Sequence, residues 1–191
     1  RRRRLIPRLS KAVIAQLRDL GFHQSRFDVA VTSETTLPES GGAISPSGLD
    51  RIEFQFAPNP GEPGRPLRAI ASSGELARVM LALKTVLAAE DEVPVLVFDE
   101  VDANVGGETA RAVGEKMLQI ARQRQVICIT HLAPVAALGQ AHFVVNKEVK
   151  DDRTISSVTR LDRKERITEL ARMLGGQDEA IRKHAAALLA G

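Results

Sequence analysis

Val95-Leu96-Val97-Phe98-Asp99-Glu100 is the stretch on which the fold turns. Four apolar residues run without interruption into two acids. An apolar run of this length, with no alternation, fits a strand covered on both faces, as in a parallel sheet. A second run, Val126-Ile127-Cys128-Ile129, passes directly into Thr130-His131, and a third is expected at residues 142–146. Helical periodicity occupies the intervals. Leu76, Val79, Met80, Leu83, Val86 and Leu87 share one face of a helix expected over 74–89, and another helix is expected over 108–122. Apolar strands linked by helices predict an α/β chain whose mostly parallel sheet is flanked by helices.

Working outward, the charged turn Lys150-Asp151-Asp152-Arg153 predicts a hairpin into a strand over 154–159. Two short helices, 163–174 and 177–189, are divided by Gly175-Gly176. Upstream, Phe27-Asp28-Val29-Ala30-Val31 and Ile52-Glu53-Phe54-Gln55-Phe56 alternate with period two and form a small β segment. Residues 38–48 and 58–66, rich in Pro, Gly and Ser, read as loops. A first helix is expected over 5–20, where Ile6, Leu9, Val13, Gln16 and Leu20 step by three and four before Gly21 ends it. That spacing suits the end of a coiled coil and equally a single amphipathic packing helix. Two segments follow: 1–21, the helix, and 22–191, the α/β lobe.

Composition narrows the function. The 191 residues contain 3% aromatics, without Trp or Tyr, so the core is expected to be aliphatic and the composition argues against a base-stacking platform. The net charge of +3 divides into +6 over residues 1–20 and −3 over the rest. Arg1 to Arg4 suit either phosphate contacts or a solvated helix end. A lone Cys128, set in an apolar run, reads as a buried hydrophobe in a reducing, cytoplasmic setting. No stretch has the length and apolarity of a membrane span.

Three motifs carry chemistry. Ligands bind beyond the carboxyl ends of strands in open α/β sheets, which is where Asp99 and Glu100 fall. Asp99 can hold Mg²⁺ through water, and Glu100 can take a proton from an attacking water. The bland alternative is a loop-exposed acid pair. Ser72-Ser73-Gly74-Glu75 opens a helix, whose free amides and dipole favour a phosphate; an ordinary N-cap reads the same way. His131 ends a strand, within reach of a phosphate or a water, or serves only structure. Their order is what distinguishes them: a small-residue helix start, then a strand ending in acids, then a strand ending in His, the last two on one sheet edge.

With these residues in view, nearly the whole chain resembles the ABC ATPase family, and within it the RecN branch, bacterial relatives of the SMC proteins. Ala71-Ser72-Ser73-Gly74-Glu75-Leu76 resembles the signature motif, and Val95 to Glu100 the Walker B strand with its catalytic glutamate. Val101-Asp102-Ala103-Asn104-Val105-Gly106-Gly107 resembles the D-loop, and Ile129 to Ala136 the switch-histidine segment. Asp50-Arg51-Ile52-Glu53-Phe54, Asn59-Pro60-Gly61 and Glu169 to Gly176 resemble RecN in particular. The resemblance implies the C-terminal lobe of an ATPase head, preceded by the returning end of a coiled coil. It implies that Asp99 positions Mg²⁺, Glu100 polarises the attacking water and His131 contacts the γ-phosphate of ATP. It implies that Ser72, Ser73, Gly74 and Glu75 form the cap over ATP held by a second head, with Asp102 at the seam of an ATP-sandwich homodimer. The partners it implies are an N-terminal P-loop lobe, DNA bound without sequence preference in the nucleoid, and a recombinase.

Two departures matter. The family's signature carries two glycines where this chain has Ser73-Gly74, which predicts either backbone strain at Ser73 or an extra hydroxyl donor. No Gly-Lys dipeptide occurs, so the P-loop is absent and hydrolysis is expected only with the other lobe. Two alternatives stand beside this reading: a non-catalytic DNA-binding or scaffold module, and the head lobe of another ABC or SMC ATPase.

Overall fold

The computed structural model describes residues 2–33, 48–150 and 153–190. The expected loop at 38–48 lies almost wholly outside the described residues, as do the turn residues Asp151 and Asp152. The chain forms two compact units, one ending at Glu92 and the other beginning at Val93.

The first unit opens with helix α1 (Arg2–Asp19). Val13, Leu17 and Leu20 are fully buried along one of its sides. Gly21 stops the helix with φ +90°, a left-handed value that glycine adopts without a Cβ clash. The Phe22 amide then donates to the Leu17 carbonyl at 3.0 Å and the Gly21 amide to Arg18 at 3.2 Å, the paired bonds of a Schellman stop. Strand β1 (Arg26–Ser33) pairs antiparallel with β2 (Asp50–Ala57), in a register that sets Phe27 opposite Phe56 and Val29 opposite Phe54. A two-residue strand, β3 (Arg65–Pro66), extends the sheet within what the sequence suggested was loop. The ring of Phe56 meets that of Phe22 edge to face at 5.2 Å, and the Arg78 guanidinium lies 5.0 Å over Phe22. Helix α2 (Ser73–Val86) buries Gly74, Arg78, Val79, Leu81, Ala82 and Leu83. Met80, expected on the buried face, is exposed, while Leu81 takes its place in the core.

The second unit is built around two parallel strands, β4 (Val95–Phe98) and β5 (Gln125–Cys128), in register from Val95↔Gln125 to Phe98↔Cys128. Helix α3 (Gly107–Ala121) connects them and buries Ala110, Val113, Met117 and Ile120. Leu96 and Phe98 point into the core. The opposite face corrects the expectation of a sheet covered on both sides: Val97 is 62% exposed, Ile129 58%, Ile127 46% and Val95 40%.

The third apolar run departs from expectation as well. It begins β6 (Phe143–Lys150), which pairs antiparallel with β7 (Arg153–Arg160) and with no other strand among the described residues. The hairpin predicted from the charged turn is therefore present, and it draws the third run out of the parallel sheet. Short helix α4 (Ala133–Ala137) packs with α5 (Arg163–Met173) and α6 (Glu179–Ala190) around Ala133, Ala136, Ala137, Leu170, Ala171 and Ala185. Alanines at these contacts let the helices approach closely. Asp162 and Glu165 form a reciprocal capping box at the start of α5. Gly175, at φ +96°, ends that helix, with the Gly176 amide donating to Ala171 at 3.1 Å. Arg166 reaches back to the carbonyls of Ala137, Gly139 and Gln140, satisfying acceptors at the exposed end of α4.

Helix α1 contributes core residues to the first unit.

Candidate functional site

The parallel register brings Asp99, Glu100, Thr130 and His131 to one edge. Phe98 and Cys128 are partners at the ends of β4 and β5, and the Ile129 amide extends the ladder to the Phe98 carbonyl at 2.9 Å. The chain beyond each strand therefore leaves the sheet side by side. Asp99 and Glu100 are both exposed there. Glu100 has φ +56°, a left-handed value that costs a residue with a Cβ about 1–2 kcal/mol. A turn bond from the Ala103 amide to the Glu100 carbonyl, 3.0 Å, holds it. Val101 and Asp102, fully buried directly after it, anchor the segment. Glu100 is thus exposed directly before a buried pair of residues.

Asp102 is 1% exposed. Its carboxylate turns inward and accepts from the Thr130 hydroxyl. It also accepts from the His131 amide at 3.2 Å and lies 3.5 Å from Nδ1 of the same histidine. Thr130 Oγ1 in turn accepts from the Leu132 amide at 3.0 Å. One buried carboxylate thereby ties the loop after β4 to the end of β5, leaving the His131 side chain 70% exposed but oriented. Sequence reading had singled out Asp102 and His131 separately and had not joined them, and it gave Thr130 no role. A hydroxyl directly before the histidine was the available signal.

Cys128 lies beneath this edge. Burial, reinforced by the negative charges of Asp102 and Asp99, pushes its thiol up to about 12. It is half-buried and protonated at neutral pH, in keeping with an inert structural residue.

The donors present suit Mg²⁺ better than an all-protein metal cage. Among the described residues no three His, Cys, Asp or Glu side chains cluster closely enough to build one. Mg²⁺ keeps several waters and takes one or two carboxylates plus phosphate oxygens, which one exposed aspartate at a strand end can serve.

The signature segment belongs to the first unit. Ser72 is the N-cap of α2, with φ −88° and ψ 116°, and its Oγ accepts from the Glu75 amide at 3.3 Å. Ser73 is the first helical residue and is exposed; Gly74 is buried. Ser73 is not among the residues with positive φ, so the strain alternative at this position falls away. Its hydroxyl remains as an exposed donor beside the first-turn amides, which have no intrahelical acceptors.

The residues resembling RecN in particular fall in strand β2, the turn after it, and helix α5 with its glycine stop. Asp50, at the start of β2, accepts from Ser33 at 2.7 Å and Arg2 at 2.8 Å, and these hydrogen bonds hold its carboxyl below the usual range. Asn59 Nδ2 donates to Glu62 at 2.8 Å across the turn that follows β2. Glu169 binds Arg172 through two oxygens, at 2.7 and 2.8 Å, one turn along α5.

No protein-family model matches the chain. It is 43% identical over 189 residues to the DNA repair protein RecN of Streptomyces coelicolor, covering 95% of this chain and 33% of that protein. It is 45% identical over 184 residues to RecN of Deinococcus radiodurans, covering 96% and 31%, and 48% identical over 162 residues to RecN of Treponema pallidum, covering 84% and 28%. The chain thus spans about a third of the length of these relatives. Among solved structures, the Smc head domain with coiled coil and joint from Pyrococcus yayanosii aligns at TM-score 0.56 and 21% identity, over 86% of this chain and 28% of that one. The Smc head domain bound to the C-terminal domain of ScpA, from Pyrococcus furiosus, aligns at TM-score 0.53 and 20% identity, over 87% and 37%. The fold is similar to part of an SMC-type head, and the chain is similar in sequence to RecN proteins over about a third of their length.

Proposed function

We propose that this chain supplies one lobe of an ATP-hydrolysing head in a DNA repair machine, and that it turns over ATP only together with a P-loop lobe. The observation that carries the reading is the shared strand edge, where Asp99, Glu100 and His131 stand side by side on a parallel pair. Bound Mg²⁺–ATP would supply an electrophilic γ-phosphorus whose charge the metal offsets. Asp99 orients the metal's water shell. Glu100, held outward by its left-handed backbone, takes a proton from the attacking water. His131, steadied by Asp102, presents its imidazole toward the γ-phosphate. Ser72, Ser73, Gly74 and Glu75, at the start of α2, offer amides and hydroxyls to the nucleotide of a second head.

The bare face of β4 and β5 supports the need for another lobe. Parallel sheets are normally covered on both sides, yet here Val97 and Ile129 are more than half exposed on a pair with no third strand among the described residues. A P-loop lobe, joined through a coiled coil of which α1 is one end, would supply both the missing layer and the phosphate cradle. In this reading the boundary at residue 21 divides coiled-coil end from head lobe. The proposed setting is the bacterial nucleoid, with DNA, a second head and a recombinase as partners. No helix among the described residues is long and apolar enough to cross a membrane.

The test is reconstitution. This chain alone should hydrolyse no ATP above background, and adding the separately expressed N-terminal lobe of a RecN protein should restore turnover. Hydrolysis by this chain alone, abolished by Glu100→Gln, would overturn the two-lobe account.

A further inference from the structure

We propose that Arg166 of α5 is a positioning residue for His131 and acts on it through α4. The proposal rests on the reading of His131 as the group that meets the γ-phosphate, and adds a residue remote from the strand edge. His131 directly precedes Leu132, the N-cap of α4, and α4 itself is only the five residues Ala133–Ala137. Five residues span about 8 Å and do not sustain a helix unaided, because nucleation costs more than one turn of hydrogen bonds returns. Outside partners therefore hold both ends. At the first end the Leu132 amide donates to Thr130 Oγ1 at 3.0 Å, while the Thr130 hydroxyl and the His131 amide donate to Asp102. At the other end, where helix carbonyls lack intrahelical donors, Arg166 supplies them. Its Nη2 donates to Gly139 at 2.6 Å and to Ala137 at 3.3 Å, and its Nη1 to Gln140 at 3.4 Å.

Arg166 is half-buried and committed to this grip. Among the described residues no acid pairs with it, and its Nε is buried without a hydrogen-bond partner. A cation set on carbonyls rather than on a carboxylate suits the negative end of a helix. The planar fork of arginine reaches several fixed oxygens at once, where lysine offers one nitrogen. The flanks of α4 are closed as well. Ala133, Ala136 and Ala137 share a core with Leu170 and Ala171 of α5 and Ala185 of α6. On the side of α3, a Cβ at Gly114 would stand 2.7 Å from Leu138 Cδ1, so it is this glycine that admits the C-cap of α4. With so little room on either flank, the grip of Arg166 at one end of α4 sets the direction in which the chain leaves His131 at the other.

The test is a double-variant cycle on turnover. In the full-length protein that contains this lobe, steady-state ATP hydrolysis is measured for the parent, Arg166→Gln, His131→Ala and the two together. Misplacing a reacting group by about 1 Å costs up to about a hundredfold, so Arg166→Gln should lower kcat by about tenfold or more while KM for ATP changes by less than about twofold. His131→Ala should lower kcat at least as far. Adding Arg166→Gln to it should slow turnover no further, because an effect carried through the imidazole is lost with it, whereas general damage to the fold would multiply the two. If circular dichroism shows Arg166→Gln unfolded, Arg166→Lys, which keeps the charge and the stem, carries the same comparison with a smaller fall in kcat. An unchanged kcat in the Arg166 variant beside a slowed His131→Ala overturns the positioning role and leaves the head reading standing. So does a raised KM with kcat intact, or a full Arg166 effect in the His131→Ala background. Parent-like turnover in His131→Ala overturns the role of His131 itself, and the proposal with it.

Discussion

The start of α2 and the edge of β4 and β5 present their polar groups by opposite means. At α2 the arrangement is local: Ser72 caps an amide three residues away, and the rest follows from helix geometry. At the strand edge it is long-range. Asp102 holds groups 28 and 29 residues distant, and Glu100, with a left-handed backbone, directly precedes the buried Val101 and Asp102. A helix start needs only its own few residues to be right. A strand edge needs the whole second unit packed, so substitutions there should be costlier and should reach further.

The largest expected effect reports that packing. With its thiol pushed up to about 12 against an ordinary value of 9, Cys128 holds about a thousandfold less thiolate than a free cysteine at pH 8. Labelling with a thiol reagent at pH 8 should be slower in the folded chain by that order and return to normal in denaturant. The sign follows from the raised value: burial favours the protonated form, so labelling stays slow until pH approaches 12. Next comes Glu100→Gln, assayed with both lobes present, which should lower turnover a hundredfold or more while nucleotide binding persists. Unaltered turnover would remove Glu100 as the proton acceptor. Asp102→Ala should destabilise the second unit by about 2 kcal/mol, read by chemical denaturation, because the Thr130 hydroxyl and His131 amide lose a buried acceptor. Pairing it with Thr130→Val should cost less than the sum of the two changes if the link is direct. At the local site Ser72→Ala should cost only about 1 kcal/mol, confined to the first unit. Ser73→Gly should change stability least of all, by less than about 1 kcal/mol, since Ser73 already has a helical backbone. A large gain from that glycine would reopen the question of strain.

The same contrast explains what could be read from sequence. The helix start at Ser72, the two strands ending in acids and in histidine, the hairpin and the Gly21 and Gly175 stops all follow from short windows, because spacing and turn chemistry are local properties. The sequence places residues 142–146 as a third parallel strand because a short apolar run, here Phe143 to Val145, does not reveal its pairing partner. The tight connection to β7 decided the pairing. The exposure of Met80 has the same origin: helical periodicity identifies a stripe, but which edge of the stripe is covered depends on neighbours distant in sequence. The burial of Asp102 required knowing that Thr130 would arrive beside it.

The uncovered face of β4 and β5 also bears on how such a protein is made. An exposed apolar sheet with unpaired strand edges is a template for indiscriminate strand addition. Folded by itself, this lobe should be adhesive, prone to pair with other nascent copies and attractive to holdase chaperones. If the chain is the later-synthesised part of a longer polypeptide, the lobe translated first would be waiting when these strands leave the ribosome, so order of synthesis itself would guard against misassembly.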